Sequence, residues 1–385
     1  MRRRFFLTIL TLVVIGLAAS LAIFLAKGYR LSPNQGGIFG TGILSITSVP
    51  DQASVYMDGN LTTATNANIN SLPPKTYQVK IIKEGFIPWE KRVEVKEGLV
   101  TQIKATLFRA IPSIYPITYT GMSNPSLSPN GQKLVYVVPP PTDGNQLIVK
   151  KSGIWIWQLS DRGVTFARGG EPQQIALWDS TVDYTKAKFR FSPDNTQIMV
   201  SLEDRILLLD TNKLNDPPKN ITVTAQPTIR VWDEEQKTRD NTRLQLIKDL
   251  SLRNTASKSA ILKWSADESK ILYCEKDCQD GLKVSDLDEQ KSFDIPKANF
   301  YSWLPDSLHI ILIDTEDKKD KAENGIRLAK ISIVESDGTN KSEIYVGNLD
   351  PESVFAWLDS SRLIVVSSLP TPTASQPNLY GINLK

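Results

Sequence analysis

The chemistry open to this chain is limited by its single histidine, His309. Serine and cysteine nucleophiles need a neighbouring base, so any Ser-His-Asp or Cys-His arrangement would have to include His309. In four related segments the same position is held by Lys133, Gln197, Lys270 and Arg362. This pattern predicts a polar side chain that faces solvent. We therefore assign no catalytic residue and expect a protein that is not an enzyme.

Other reactive groups do not form a site either. Aspartates and glutamates are abundant, but most fit turns, and no pair stands out for glycoside hydrolysis. The acidic stretch at residues 314–325 has lysines where a calcium loop needs further oxygen ligands. No glycine-rich loop of the kind that cradles phosphate is present. We predict no metal and no cofactor.

Two cysteines, Cys274 and Cys278, lie close together in the stretch ILYCEKDCQDGLKV. In an exported protein such a pair can close a small disulfide across a hairpin. Two thiolates without a nearby histidine or further cysteine make only half of a zinc site. We favour a disulfide over free thiols, and free thiols over a metal site.

The eight tryptophans offer candidate binding surfaces. Trp264, Trp303 and Trp357 belong to a repeated segment, which predicts core packing. Trp178 and Trp232 lie outside it and are our candidate binding-surface aromatics, with core packing as the alternative.

The repeated segment occurs five times and organises the larger part of the chain. Its copies are LSPNGQKLVY (127–136), FSPDNTQIMV (191–200), WSADESKILY (264–273), WLPDSLHIIL (303–312) and WLDSSRLIVV (357–366). Each reads as the end of one strand, a tight turn rich in Ser, Pro and Asp, and a buried strand. In the first four copies, the first aliphatic residue of the strand follows the opening residue by seven positions. The fifth is one residue shorter, which predicts a tightened turn.

This order resembles the TolB-type and WD-like β-propeller repeats and covers residues 113–385. The resemblance implies a β-propeller of five blades, with a degenerate sixth left open. A helix is expected near residues 231–252, riding on the propeller or docking a partner. The strands in SIYPITYTG (113–121) and NLYGINLK (378–385) are expected to share one blade and close the ring.

Residues 42–108 alternate between apolar and polar positions, with turns at Asp58-Gly59 and Glu97-Gly98. This pattern predicts a small all-β sandwich. The run Pro50-Asp51-Gln52-Ala53 and the later Lys83-Glu84-Gly85-Phe86 resemble the PEGA family. Gln52 stands where the family favours glycine. The resemblance implies an extracytoplasmic adhesive or spacer module without general catalytic activity.

The first 41 residues are unlike the rest. Arg2, Arg3 and Arg4 precede 22 uncharged residues, 5–26, which as a helix would span about 33 Å. We predict a cytoplasmic stub (1–4), a transmembrane anchor helix (5–26) and a linker (27–41), with a cleavable signal peptide as the alternative. The bulk of the chain would then lie outside the cytoplasm, at the cell membrane.

Charge and architecture together define the expected function. Without the three N-terminal arginines, basic and acidic residues are equal in number, which argues against nucleic-acid binding. We expect an all-β, membrane-anchored module that binds a protein or a cell-envelope glycan through the propeller loops. A propeller lyase or glycosidase acting on envelope polysaccharide and a self-assembling envelope component are the alternatives.

Overall fold

The chain folds into two compact units, Met1–Ile111 with Lys385 and Pro112–Leu384. The computed structural model describes residues 2–26, 30–32, 37–141, 149–159, 171–275, 278, 281–315, 325–369 and 377–385. The expected linker (27–41) and the acidic stretch (314–325) therefore lie partly outside the described residues.

The first unit begins with helix α1, Arg2–Ala26. A two-stranded sheet follows, made of β1 (Arg30–Ser32) and β2 (Gly37–Phe39). Among the helices in the described part of the chain, none is found with the length and apolar character of a membrane span. The anchor at residues 5–26 stays a prediction from the sequence.

Two sheets form the rest of the first unit, in agreement with the expected β sandwich. The three-stranded sheet, in the order β6-β3-β9, contains β3 (Gly42–Val49), β6 (Ala67–Leu72) and β9 (Val100–Thr106). The four-stranded sheet, in the order β5-β4-β7-β8, contains β4 (Ser54–Met57), β5 (Asn60–Ala64), β7 (Lys75–Ile82) and β8 (Trp89–Val95). Alternate residues of β3 and β7, including Leu44, Ile46 and Ile81, are fully buried in one core.

The second unit consists mainly of five four-stranded antiparallel sheets, which is β-propeller architecture. Sheet 1 contains β11 (Ser123–Leu127), β12 (Lys133–Val138), β13 (Gly153–Gln158) and β14 (Gln173–Leu177). Sheet 2 contains β15 (Lys188–Phe191), β16 (Gln197–Ser201), β17 (Ile206–Asp210) and β18 (Lys219–Asn220). Sheet 3 contains β19 (Leu262–Trp264), β20 (Lys270–Cys274), β21 (Leu282–Asp286) and β22 (Lys291–Ile295). Sheet 4 contains β23 (Phe300–Trp303), β24 (His309–Thr315), β25 (Arg327–Glu335) and β26 (Ser342–Leu349).

Sheet 5 joins the two ends of the second unit. It contains β27 (Val354–Ala356), β28 (Arg362–Ser367), β29 (Asn378–Asn383) and the early strand β10 (Ile114–Pro116). Strand β10 pairs antiparallel with β29, and Ile114 lies opposite Ile382. The expected sharing of one sheet by these two segments is confirmed. The pairing covers one edge of β29 that would otherwise have free backbone groups.

Three pairs of neighbouring sheets pack face to face through apolar side chains. One core cluster joins sheets 1 and 2, a second joins sheets 1 and 5, and a third joins sheets 3 and 4. Sheets 4 and 5 are linked by the Ser360 hydroxyl, which accepts a hydrogen bond from the Asp306 N–H at 3.1 Å. Strands such as β12 are buried along their whole length because both faces are covered in this way.

Helices occupy the junction between sheets 2 and 3. Helix α2 (Ala225–Leu246) packs Trp232 against Met199 of sheet 2. Helix α3 (Leu250–Lys258) packs Ala256 against Ile271 of sheet 3. The sequence predicted one helix at 231–252, whereas the structure has two, with buried Ile247 at the bend between them. The polar sequence of α2 is compatible with a helix that is mostly exposed.

All five repeat turns have the same backbone geometry. In each, the residue that begins the turn accepts a backbone hydrogen bond from the residue three positions later. These later residues all have positive φ, between 55° and 71°: Gly131, Asn195, Glu268, Ser307 and Ser360. A left-handed residue at this point lets the chain reverse tightly between two strands.

The fifth turn is not shortened, so that prediction is wrong. Ala356 pairs with Leu363, a spacing of seven residues, as Phe191 pairs with Ile198 in the second copy. In the sequence of the fifth copy, Trp357 resembles the aromatic residue that ends the first strand. Trp357 instead begins the turn, and Asp359 is the counterpart of the turn aspartates.

We expect Gly131→Ala to lower the free energy of unfolding by about 1 kcal/mol, because an L side chain is strained at a φ of 71°. Space is not the cause, since an added Cβ would meet only Leu358 Cδ2, at 3.9 Å. Denaturant unfolding followed by tryptophan fluorescence measures the loss. Gly131→Asn is the control and should lose less, because asparagine tolerates this conformation and occupies it at Asn195. Equal losses for alanine and asparagine would contradict the explanation.

Candidate functional site

The polar position after each repeat turn does not face solvent in two of the copies, which corrects the prediction for His309. Lys133 and His309 are only 9% and 3% exposed. Nδ1 of His309 lies 2.8 Å from Oδ2 of Asp306, inside its own turn. Nζ of Lys133 donates to the carbonyl of Asn195 and the hydroxyl of Thr211 in sheet 2. Burial lowers the pKa of the Lys133 ammonium. These side chains are covered because the second strand of each sheet is packed between neighbours.

Cys274 and Cys278 form a disulfide in the structure. Cys274 is the last residue of β20 and is fully buried against sheet 4. Glu275 follows it directly, so the disulfide restrains the segment that carries this carboxylate.

The two candidate binding tryptophans have different surroundings. Trp178 is half-buried and meets Tyr184 edge to face, with ring centroids 5.5 Å apart. Trp232 is 6% exposed and packs into the core between α2 and sheet 2. The Arg190 guanidinium lies 6.0 Å from the centroid of the Trp232 ring. Only the edge of the Trp232 ring is therefore accessible at the protein surface.

Helix α2 is fastened to the repeat turns on both sides of the junction. Arg239 donates a hydrogen bond to the carbonyl of Pro193, in the turn of sheet 2. One helical turn later, Nε of Arg243 lies 2.8 Å from Oε1 of Glu268, in the turn of sheet 3. The two arginines are four residues apart and so lie on one side of the helix. Helix α2 consequently bridges two sheets that have no direct core cluster in common among the described residues.

Two clefts lie along this side of α2, and we call them the α2 clefts. The smaller, about 330 Å³, is lined by residues that include Pro129, Arg190, Phe191, Pro193, Trp232 and Gln236. The larger, about 630 Å³, is lined by residues that include Pro129, Asp240, Arg243, Leu244, Ser257 and Trp264. Their volumes are those of sites that hold small ligands or short segments. Aromatic, proline and amide groups in the smaller cleft fit flat or extended ligands.

Sequence reasoning found Trp232 but missed its neighbours along α2. Gln236, Asp240 and Arg243 follow Trp232 at spacings of four, four and three, which marks one face of a helix. That spacing was visible in the sequence. The inner strands and turns that contact this face of α2 could not be identified from the sequence, because they are distant in the chain.

Two aspartates of the repeat turns, Asp267 and Asp194, have lowered pKa values. Burial disfavours the charged form of Asp267, but hydrogen bonds from the Ser265 hydroxyl and from the N–H and hydroxyl of Ser269 outweigh it and hold the pKa at about 2. The pKa of Asp194 is lowered by the equivalent bonds from Ser192 and Thr196. In this part of the chain the carboxylates serve as acceptors that hold the turns.

A model of the PEGA domain matches residues 41–110. The PEGA resemblance of the sandwich is thus confirmed for residues 41–110. No curated protein matches the chain.

Several solved structures are similar to the chain at a low level. The β-propeller domain of the trilobed protease from Pyrococcus furiosus is 15% identical, with 70% of this chain and 72% of that chain covered and a TM-score of 0.23. A putative TolB from Agrobacterium tumefaciens is 16% identical, with coverages of 68% and 78% and a TM-score of 0.23. An oligogalacturonate lyase in complex with manganese is 10% identical, with coverages of 80% and 74% and a TM-score of 0.24. The β-propeller assignment of this chain rests on its own five sheets.

We expect the stability of the second unit to fall between pH 4 and pH 2, partly through Asp267. Its pKa is lowered from 3.8 to about 2, so its contribution is present above pH 3.8 and is lost as the pH falls through 2. Asp267→Asn keeps an acceptor oxygen, as Asn130 does in sheet 1, but removes the titration. The variant should lose about 1 kcal/mol less than the wild type over this range, after allowance for solvent screening.

Denaturant unfolding at each pH gives the comparison, and Asp288→Asn, at an exposed hairpin position, serves as the control. Parallel curves for the wild type and Asp267→Asn would contradict this role of Asp267.

Proposed function

We propose that the protein is a membrane-anchored, extracytoplasmic binding module whose five sheets form one closed propeller of five blades. It holds a protein or cell-envelope glycan partner in the α2 clefts. The observation that carries this proposal is helix α2, fixed to the turns of sheets 2 and 3 by Arg239 and Arg243 and bordered by two clefts.

Rigidity supports a binding role for this face. Each turn is held by its own hydrogen bonds, and Lys133 ties the turn of sheet 2 to sheet 1. A cleft whose walls are already ordered loses little conformational entropy when a partner binds. Arg190 and Gln236 provide polar groups in the smaller cleft, whose other lining residues are mainly aromatic side chains and prolines. Such mixed surfaces are common where partners are bound.

The side chains at the clefts support a non-catalytic role. Among the described residues that line them, Asp240 is the single carboxylate, and its Oδ1 accepts a hydrogen bond from Gln236 at 2.9 Å. Hydrolysis of a glycoside generally uses two carboxylates across the bond. His309 is the only histidine in the sequence, and its Nδ1 lies 2.8 Å from Oδ2 of Asp306.

Localisation at the membrane rests on α1. The helix has no charged residue from Phe5 to Ala26, and Leu12, Ile15 and Leu17 are each at least 60% exposed. Apolar side chains on all sides of a helix are stable only when lipid or protein covers them. We assign lipid as the cover, with the three arginines on the cytoplasmic side. The PEGA domain would then act as a spacer or wall contact between the anchor and the propeller.

The anchor is tested by membrane fractionation. We expect the full chain to remain in the membrane fraction after alkaline extraction, because its apolar helix is held by lipid. A chain that begins at Gly42 should be soluble and rich in β structure by circular dichroism. Release of the full chain by alkaline extraction, or a helical or unfolded shorter chain, would contradict the proposed arrangement.

The α2 clefts are tested by capture of partners from envelope extract and on a glycan array. Gln236→Trp should weaken capture about tenfold, because the added ring fills the smaller cleft. Lys237→Trp is the matched control, as its neighbouring position lies outside both clefts. Protease treatment of the extract distinguishes a protein partner from a glycan. Equal capture by both variants would exclude the smaller cleft as the site, and turnover of a polysaccharide would replace binding by catalysis.

A further inference from the structure

The outer half of sheet 3 has a polar face beside α3. The cross-strand row Trp264, Ile271, Ser285 and Ser292 lies on one face of the sheet. Its apolar members, on the inner strands, are covered by helix residues such as Ala256. The row becomes polar at β21 and β22. At these two strands the helices no longer cover the sheet.

A cleft of about 610 Å³ lies at this place, and we call it the side cleft. One wall is α3 and the bend before it, with Ile247, Ser251, Leu252 and Thr255. The other walls come from sheet 3. No residue of the side cleft also lines an α2 cleft among the described residues. The two regions are separate sites on the same unit.

Hydroxyl groups form the floor of the side cleft. Ser285 Oγ lies 2.6 Å from Ser292 Oγ and 3.5 Å from the Tyr273 hydroxyl. Ser285 and Tyr273 are 1% and 4% exposed, whereas Ser292 is exposed. Ser285, which also contacts the Tyr273 hydroxyl, therefore holds Ser292 in place at the surface of the cleft. A hydroxyl both donates and accepts, so this floor matches a ligand that carries hydroxyls of its own.

Three of the five charged side chains that line the side cleft are in ion pairs within the protein, and Asp249 Oδ1 accepts the N–H groups of Ser251 and Leu252, which leaves Lys248 as the fifth. Glu275 Oε1 lies 2.9 Å from Lys283 Nζ, and Asp286 Oδ2 lies 3.4 Å from Lys270 Nζ. Lys291 Nζ is 2.8 Å from Glu289 Oε2. A charged ligand would have to compete with these pairs, so it gains little Coulomb attraction. The chemistry favours an uncharged ligand.

We propose that the side cleft binds a neutral saccharide. The hydroxyl of Ser292 and the rim hydroxyls of Ser251 and Thr255 hydrogen-bond its hydroxyl groups. Leu252 and Ile247 contact the apolar face of a sugar ring. The disulfide of Cys274 restrains the segment that carries Glu275, which accepts hydrogen bonds at the rim. This site is independent of the partner held at the α2 clefts.

Calorimetry on the full chain, in a detergent without a sugar headgroup, tests the proposal. The probes are the neutral trisaccharides maltotriose, cellotriose and triacetylchitotriose, with trigalacturonate as the charged comparison. We expect at least one neutral trisaccharide to bind, and trigalacturonate to bind at least fivefold more weakly. Absence of binding by all three neutral probes, or tighter binding of trigalacturonate, overturns the proposal.

Matched variants locate the site. Ser292→Ala should weaken binding about fivefold through the loss of one hydrogen bond, while Ser342→Ala, on the outer strand of sheet 4, should leave it unchanged. Thr255→Trp should abolish binding by filling the cleft, and Asn254→Trp, on the same helix but outside the cleft, should not. Circular dichroism confirms that each variant is folded. Binding that survives Thr255→Trp in a folded chain overturns the assignment, whatever happens at the α2 clefts.

Discussion

A side-chain oxygen that accepts the backbone N–H two residues further on holds each of the five repeat turns. The oxygen belongs to asparagine in sheet 1 and to aspartate in the other four sheets. The same turn then offers a carbonyl to the segment after the third strand, for example Thr196 to the N–H of Thr211. Three strands are thereby fixed relative to one another by a single short segment. The packing between sheets depends on this, because apolar rows meet only if every sheet has the same register.

Much of this architecture could be predicted from the residues, and the failures have physical causes. Turn residues and apolar runs are local, so the repeat and the alternating first domain were visible. The fifth turn was misjudged because Trp357 resembles the aromatic that ends β19 or β23, whereas Ala356 ends β27. His309 was placed in solvent because sequence shows its neighbours along the strand but not the sheet that packs over it. The clefts are formed by segments that are distant in the chain. Trp232 is the one residue of the clefts that the sequence marked as a candidate.

Both proposed binding regions arise from one departure from the repeat. At three junctions adjacent sheets cover each other with apolar side chains, as Val200 and Val135 do between sheets 2 and 1. At the junction of sheets 2 and 3 a helix pair takes the place of direct sheet contact. Helices and twisted sheets do not match in shape along their whole length, so grooves remain on both sides. A fold made of equivalent units thus acquires distinct surfaces at the point where the equivalence ends.

The pairing of β10 with β29 also orders events in time. Ile114 meets Ile382 across almost the whole second unit, so sheet 5 cannot be completed until the segment that contains Asn378–Asn383 has been synthesised. During synthesis, sheets 1 to 4 can form from local contacts while β10 has no partner strand. The early strand must therefore be kept from pairing elsewhere until its partner arrives. A chain interrupted before β29 would present an unpaired edge, which is a mark that quality-control proteases and chaperones can recognise.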